Sequence, residues 1–181
     1  MIGISISMKL LTVLMLACIS KNPEVNMTFQ EQQFAKQYGI NESDLADPHS
    51  ILTASGDRAY ITDEEIELLK RVVMSEAGNQ TVECQEAVAT VILNRWQNPD
   101  KFPDTIAGVI NAPGQFSTRD NGEPTLSVEV AVFNALTYYN TYCQDIPSSV
   151  YYFRSGHYHD FGMPYCSFGD LYFSTDKDVV L

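Results

Sequence analysis

Apolar residues recur at helical spacing in three stretches of the chain. In the first, Ile66, Leu69, Val72 and Val73 fall on one stripe, behind Thr62 and the acidic Asp63, Glu64 and Glu65. That prelude is a capping box with negative charge in the first turn, so the pattern predicts a helix starting at Asp63 and stopping at Gly78. Thr81 caps a second helix to about Gln97, with Cys84, Ala87, Val88, Val91 and Ile92 on one face and Asn98-Pro99 ending it. The third runs from Val128 to Tyr142 on a stripe of Val128, Ala131, Val132, Ala135, Leu136 and Tyr139. Thr105 to Ile110 reads as a short helix, and Pro113 to Pro124, rich in Gly, Asn and Asp, as loop. Beyond it, Val150-Tyr151-Tyr152-Phe153 and Leu171-Tyr172-Phe173 are short aromatic runs flanked by turn residues, which predict a pair of strands. Helices followed by a small antiparallel hairpin or sheet define an α+β domain.

The first sixty residues follow a different pattern. Leu10 to Cys18 is an apolar run behind Lys9, of signal-peptide length and too short to span a bilayer. The expectation is export to the cell envelope or the extracellular space. Leu14-Met15-Leu16-Ala17-Cys18 resembles a lipoprotein signal that would anchor the chain to a membrane through Cys18, with cleavage after Ser20 as the alternative. Lys21 to Tyr60 is polar and broken by Asn22-Pro23, Asp47-Pro48 and Ser55-Gly56-Asp57, apart from a short helical pattern at Phe29 to Tyr38. The organisation expected is therefore a signal over 1–20, a polar leader over 21–60 and a single folded domain over 61–181, acting as a monomer.

Composition narrows the function. With 181 residues, 45% hydrophobic, the chain can bury one sizeable core. A formal net charge of -12 argues against nucleic acid as a partner, because phosphate binding needs a basic stripe. The four cysteines, Cys18, Cys84, Cys143 and Cys166, have no C-x-x-C spacing, so no zinc cage is expected. Cys143 and Cys166 are candidates for a disulfide in an oxidising compartment, and Cys84 reads as a small buried hydrophobe.

One residue breaks the first helical stripe. At about 100° per residue, Glu76 lands in the arc of Ile66, Leu69, Val72 and Val73. An ionised acid buried without a partner is costly, which leaves two readings. Either Glu76 forms a buried ion pair, with Arg95 on the apolar face of the second helix as partner, or it is a general acid kept protonated by apolar surroundings at a cleft wall. Its position beside Ala77-Gly78, at a helix end, suits the second reading.

Several ordered motifs then resemble the cell wall hydrolase family of spore cortex-lytic enzymes. They are Met74-Ser75-Glu76-Ala77-Gly78, the run Gln85 to Arg95 (QEAVATVILNR), Lys101 to Ile110 (KFPDTIAGVI), Pro113-Gly114-Gln115-Phe116-Ser117, Tyr151-Tyr152-Phe153 and Gly169 to Phe173 (GDLYF). The resemblance implies a lysozyme-like or transglycosylase-like fold acting on peptidoglycan glycan strands between N-acetylmuramic acid and N-acetylglucosamine. It further implies Glu76 as the catalytic acid, Gln115, Phe116, Ser117 and Tyr152 as substrate-binding residues, and no metal or cofactor. Family members often carry a second glutamate four residues after the catalytic one. Gln80 stands there, which favours a single carboxylate acting as acid and then base, as in lytic transglycosylation, over a two-carboxylate muramidase. Asp120 and Glu123 are candidate replacements. Phe116 has a packing role as its alternative, and Asn94 reads as a structural hydrogen-bonder.

Three other readings compete. His157-Tyr158-His159-Asp160 has metal-binding chemistry but needs a fourth ligand, with Cys166 the nearest thiolate. A cysteine peptidase built on Cys84 and His157 lacks the local signature of a nucleophile. A glycan-binding protein without activity draws its support from Gln80.

Overall fold

In the computed structural model, residues 49–52, 58–116, 122–139 and 146–177 are described. The expectations placed on the first 48 residues, including the export signal and the Cys18 anchor, lie outside them, as do Ser117, Asp120 and Cys143. Among the described residues, no helix is long and apolar enough to cross a membrane.

His49–Leu181 form one unit. It opens with strands β1 (Ser50–Leu52) and β2 (Arg58–Tyr60), paired antiparallel. Ile51 and Ile61 are both 2% exposed and belong to the core. The packed unit thus begins before Ile61, inside the stretch read as leader, where Ile51 seats the short hairpin in the core.

Helix α1 (Asp63–Ala77) starts with the predicted capping box: Glu65 N donates to Thr62 Oγ1 at 3.2 Å, and Thr62 N to Glu65 Oε2 at 3.3 Å. Its buried side is Leu69, Val72, Val73 and Ala77. Helix α2 (Val82–Trp96), capped by Thr81, buries every residue from Cys84 to Arg95 except Glu86. A helix covered on all sides is the centre of a fold, and α2 packs against α1, α3 (Ile106–Asn111), α4 (Leu126–Tyr138) and the sheet. Thr105 caps α3 through Gly108 N at 2.9 Å. Asn94, as read from the sequence, is structural: its amide donates to the carbonyls of Pro147 and Val150, and its oxygen accepts from Tyr139 Oη.

The sheet has three antiparallel strands in the order β3-β5-β4: β3 (Val150–Ser155), β4 (Gly162–Phe168) and β5 (Leu171–Asp176). β4 is the strand the sequence hides. It lies at an edge with most side chains in solvent, so it needs no apolar alternation, and an edge tolerates Pro164. Both outer strands shift register, between Val150 and Tyr152 and between Pro164 and Cys166, each opposite the stretch of β5 around Ser174.

Candidate active site

The end of α1 that carries Glu76 is tied down on several sides. Glu76 itself is half-buried in the last turn, next to the fully buried Ala77. The final carbonyls of a helix have no intrahelical donor. Here Gln85, in the first turn of α2, supplies one: its Nε2 donates to Ala77 O at 3.1 Å, Gly78 O at 3.4 Å and Gln80 O at 3.2 Å. Next to it, Cys84 Sγ donates to Phe168 O at 3.4 Å, joining α2 to the β4–β5 turn. Gly169 in that turn has φ 54°, and a side chain there would collide with the Gln80 carboxamide. Gln80, the neutral residue in place of a second carboxylate, is thus packed against the hairpin turn.

Arg95 organises the far end of α2. Only 5% exposed, its Nε donates to Tyr151 O at 2.7 Å and its Nη1 to Gln115 Oε1 at 3.0 Å. The guanidinium also lies over three rings, Phe116 at 5.0 Å, Phe102 at 5.4 Å and Tyr152 at 5.7 Å. Burial lowers its pKa to about 10, partly opposed by Tyr152, so the group stays cationic near neutrality. These partners are neutral oxygens and π faces, and among the described residues Arg95 forms no ion pair. The Glu76–Arg95 pair, one of the two readings of the sequence, is not how this cation is accommodated.

In a regular strand the neighbours Tyr151 and Tyr152 would point to opposite faces. Instead their rings meet edge-on at 6.3 Å and both contact Phe102. The register shift between Val150 and Tyr152 is the cause, since an extra residue in one strand breaks strict alternation. Tyr152 donates to Asp176 Oδ1 at 2.8 Å and packs on Phe161 and His159. Burial and that hydrogen bond push its hydroxyl up to about 12. Lys101 Nζ bonds the other oxygen of Asp176.

Burial raises the pKa of Asp176, but the Lys101 and Tyr152 hydrogen bonds outweigh it and hold the carboxyl below its ordinary value. A carboxyl depressed on folding stabilises above its unfolded value of about 3.9, and that contribution is lost as pH falls towards the folded value. Asp176→Asn is therefore expected to be less stable than the wild type at neutral pH, with the difference shrinking below about pH 4. Urea unfolding of both proteins across this range measures it; a difference that ignores pH would rule out the linkage.

Of the residues named from the sequence, Gln115, Phe116 and Tyr152 therefore converge on Arg95. Gln115 is exposed, presented by a turn in which Gly114 has φ 71°. Phe116 is half-buried against the core, with its ring 6.1 Å from that of Phe153, so packing is part of its role. Gln85, which holds the helix end of Glu76, and Arg95 stand ten residues apart on α2, about 15 Å along its axis. Glu123 lies on the surface, 3.9 Å from Arg71.

The competing chemistries find little footing. Cys84 is buried, and burial, with Cys166 and Glu83 nearby, raises its thiol to about 11, the reverse of an activated nucleophile. His159 bonds Phe153 O at 3.2 Å and stacks on Phe161. Gln85, Lys101 and Asp176 were not singled out from the sequence. Gln85 left a signal, as a polar residue on the stripe of Val88 and Ile92.

Residues 79–164 match the family described as Cell Wall Hydrolase. The family match begins just after Glu76. A spore cortex-lytic enzyme of Halalkalibacterium halodurans is 36% identical over 94 residues, 50% of this chain and 28% of that protein. One from Bacillus subtilis is 37% identical over 79 residues, 41% of this chain and 26% of that protein. The matched stretch thus spans little more than a quarter of these relatives. Among solved structures, the catalytic domain of the Bacillus cereus SleB protein superposes with a TM-score of 0.54 at 24% identity, covering 63% of this chain and 91% of that one. The catalytic domain of the germination-specific lytic transglycosylase SleB from Bacillus anthracis gives 0.53 at 23%, covering 63% and 96%. At these identities the likeness concerns the fold, which is the expected α+β architecture.

Proposed function

We propose that this domain cleaves peptidoglycan glycan strands between N-acetylmuramic acid and N-acetylglucosamine as a lytic transglycosylase, with Glu76 as its single acid/base. The observation that carries the reading is a half-buried carboxylate on the apolar stripe of α1, at a fastened helix end, just before the residues 79–164 that match the Cell Wall Hydrolase family. Glu76 protonates the bridging oxygen, the glycosidic C–O bond breaks, and an oxocarbenium-like muramic ring forms. The carboxylate then takes the proton of the muramic 6-hydroxyl as that oxygen closes on the anomeric carbon. Acid and base are the same group, the products are an anhydromuramic end and a free N-acetylglucosamine hydroxyl, and no second carboxylate at position 80 is needed.

Gln115, with donor and acceptor on one side chain, and the rings of Phe116 and Tyr152 suit sugar hydroxyls and sugar faces. Ser117 completes this binding set in the proposal. The enzyme works as an exported monomer at the cell envelope, with residues 1–20 as signal and Cys18 as the point of any lipid anchor.

Digestion of purified peptidoglycan followed by mass spectrometry tests the chemistry. Anhydromuramic ends are expected. Reducing muramic ends would replace transglycosylation with hydrolysis, and release of stem peptides alone would sink both.

A further inference from the structure

Gln85 sits on the apolar stripe of α2 with its side chain fully buried, where periodicity calls for a hydrophobe. A buried amide is tolerated only when its hydrogen bonds are made. All three of its acceptors belong to one short stretch, the carbonyls of Ala77, Gly78 and Gln80, immediately after Glu76. Two N–H bonds shared among three carbonyls make a clamp on the last turn of α1. The amide is kept although its own oxygen, Oε1, has no partner among the described residues. A position that breaks the local pattern at such a cost is where a functional demand is to be sought.

The clamp reaches Glu76 through one peptide unit. Any rotation of the final turn swings the Glu76 side chain, and acid catalysis tolerates little misplacement. The Cys84–Phe168 bond and the packing of Gly169 against Gln80 also hold the α1–α2 junction, so removing the Gln85 donor loosens the turn without releasing the junction. We propose that Gln85 is a positioning residue for the cleavage reaction, holding the helix end that carries Glu76; this rests on Glu76 being the proton carrier.

Gln85→Met keeps length and volume but removes the donor. Its kcat on peptidoglycan is expected to fall roughly 10–100-fold, with KM and co-sedimentation with peptidoglycan changed less than about threefold. A parallel loss of melting temperature, binding and kcat would reduce Gln85 to a structural role and overturn the proposal, as would wild-type kcat. Gln85→Glu gives a second readout. A neutral carboxyl donates one O–H and an ionised one donates none, so the ratio of its kcat to that of the wild type should rise as pH falls. Glu76 on α1, Glu83 and Cys84 on α2 and Cys166 on β4 are common to both proteins, so their titration largely cancels in the ratio. A flat ratio overturns the donor role, and it decides the matter if the methionine variant does not fold. An active Glu76→Gln variant would sink both proposals, whereas an inactive one beside a fully active Gln85→Met would sink this one alone.

Discussion

Glu76→Gln is expected to reduce solubilisation of purified peptidoglycan by roughly 10²–10⁴-fold, the range a positioned general acid contributes, while leaving the melting temperature close to that of the wild type. The amide is nearly isosteric with the acid and cannot give a proton to the bridging oxygen or take one from the 6-hydroxyl. Glu76→Asp should fall nearly as far, because shortening the arm by a methylene displaces the carboxyl by more than 1 Å, worth about 10²-fold in a well-oriented site. Turbidity loss of a peptidoglycan suspension measures both, and equal clearing by wild type and Glu76→Gln would remove Glu76 from the mechanism.

Arg95→Met is expected to lower stability by roughly 2–4 kcal/mol in urea unfolding. Two effects oppose each other. Removing the cation relieves the desolvation that lowers its pKa, but it leaves Tyr151 O and Gln115 Oε1 without their donor and takes the charge from three ring faces. The second should win, because leaving the half-buried Tyr151 O unpaired costs about 1–3 kcal/mol and the lost ring contacts add to it, whereas the exposed Gln115 can turn to water. Arg95→Lys should recover only part of the loss, since one ammonium cannot span both oxygens and stack on the rings as a planar guanidinium does. A loss below about 1 kcal/mol for Arg95→Met would show that the hub is not structural. The Gln115 loop should loosen with it, so that KM for peptidoglycan rises more than kcat falls.

These two residues also mark how far the chain could be read without its fold. Glu76 was legible because a helix projection needs only its own turn and the residues three and four away. Arg95 was legible as an oddity, a cation on an apolar face, but its partners lie 20 and 56 positions along the chain, at Gln115 and Tyr151. Projection supplied the only carboxylate then in view, and the structure supplies two neutral oxygens and three rings. Gln85 shows the same asymmetry. Its polarity on the stripe was visible, but its acceptors are backbone carbonyls, which have no residue identity to be read.

By itself, then, the sequence determined the first two helices and their ends, through capping at Thr62 and Thr81 and the periodicity behind each, because those interactions close within one or two turns; α4 was legible in its stripe but not in its bounds, since it runs Leu126–Tyr138 and Thr125 makes no side-chain cap. It also determined that an acid stands on a core-facing stripe, and it carried ordered motifs that resemble those of the cell wall hydrolase family. Only the tertiary structure decided that Gly162–Phe168 is an edge strand, that Tyr151 and Tyr152 share one aromatic cluster across a register shift, that Arg95 gathers Gln115, Phe116 and Tyr152, and that Gln85 fastens the helix end of Glu76. Each of these depends on a partner distant in sequence, and hydrophobic pattern records whether a side chain is buried but not which side chain or carbonyl it is buried against.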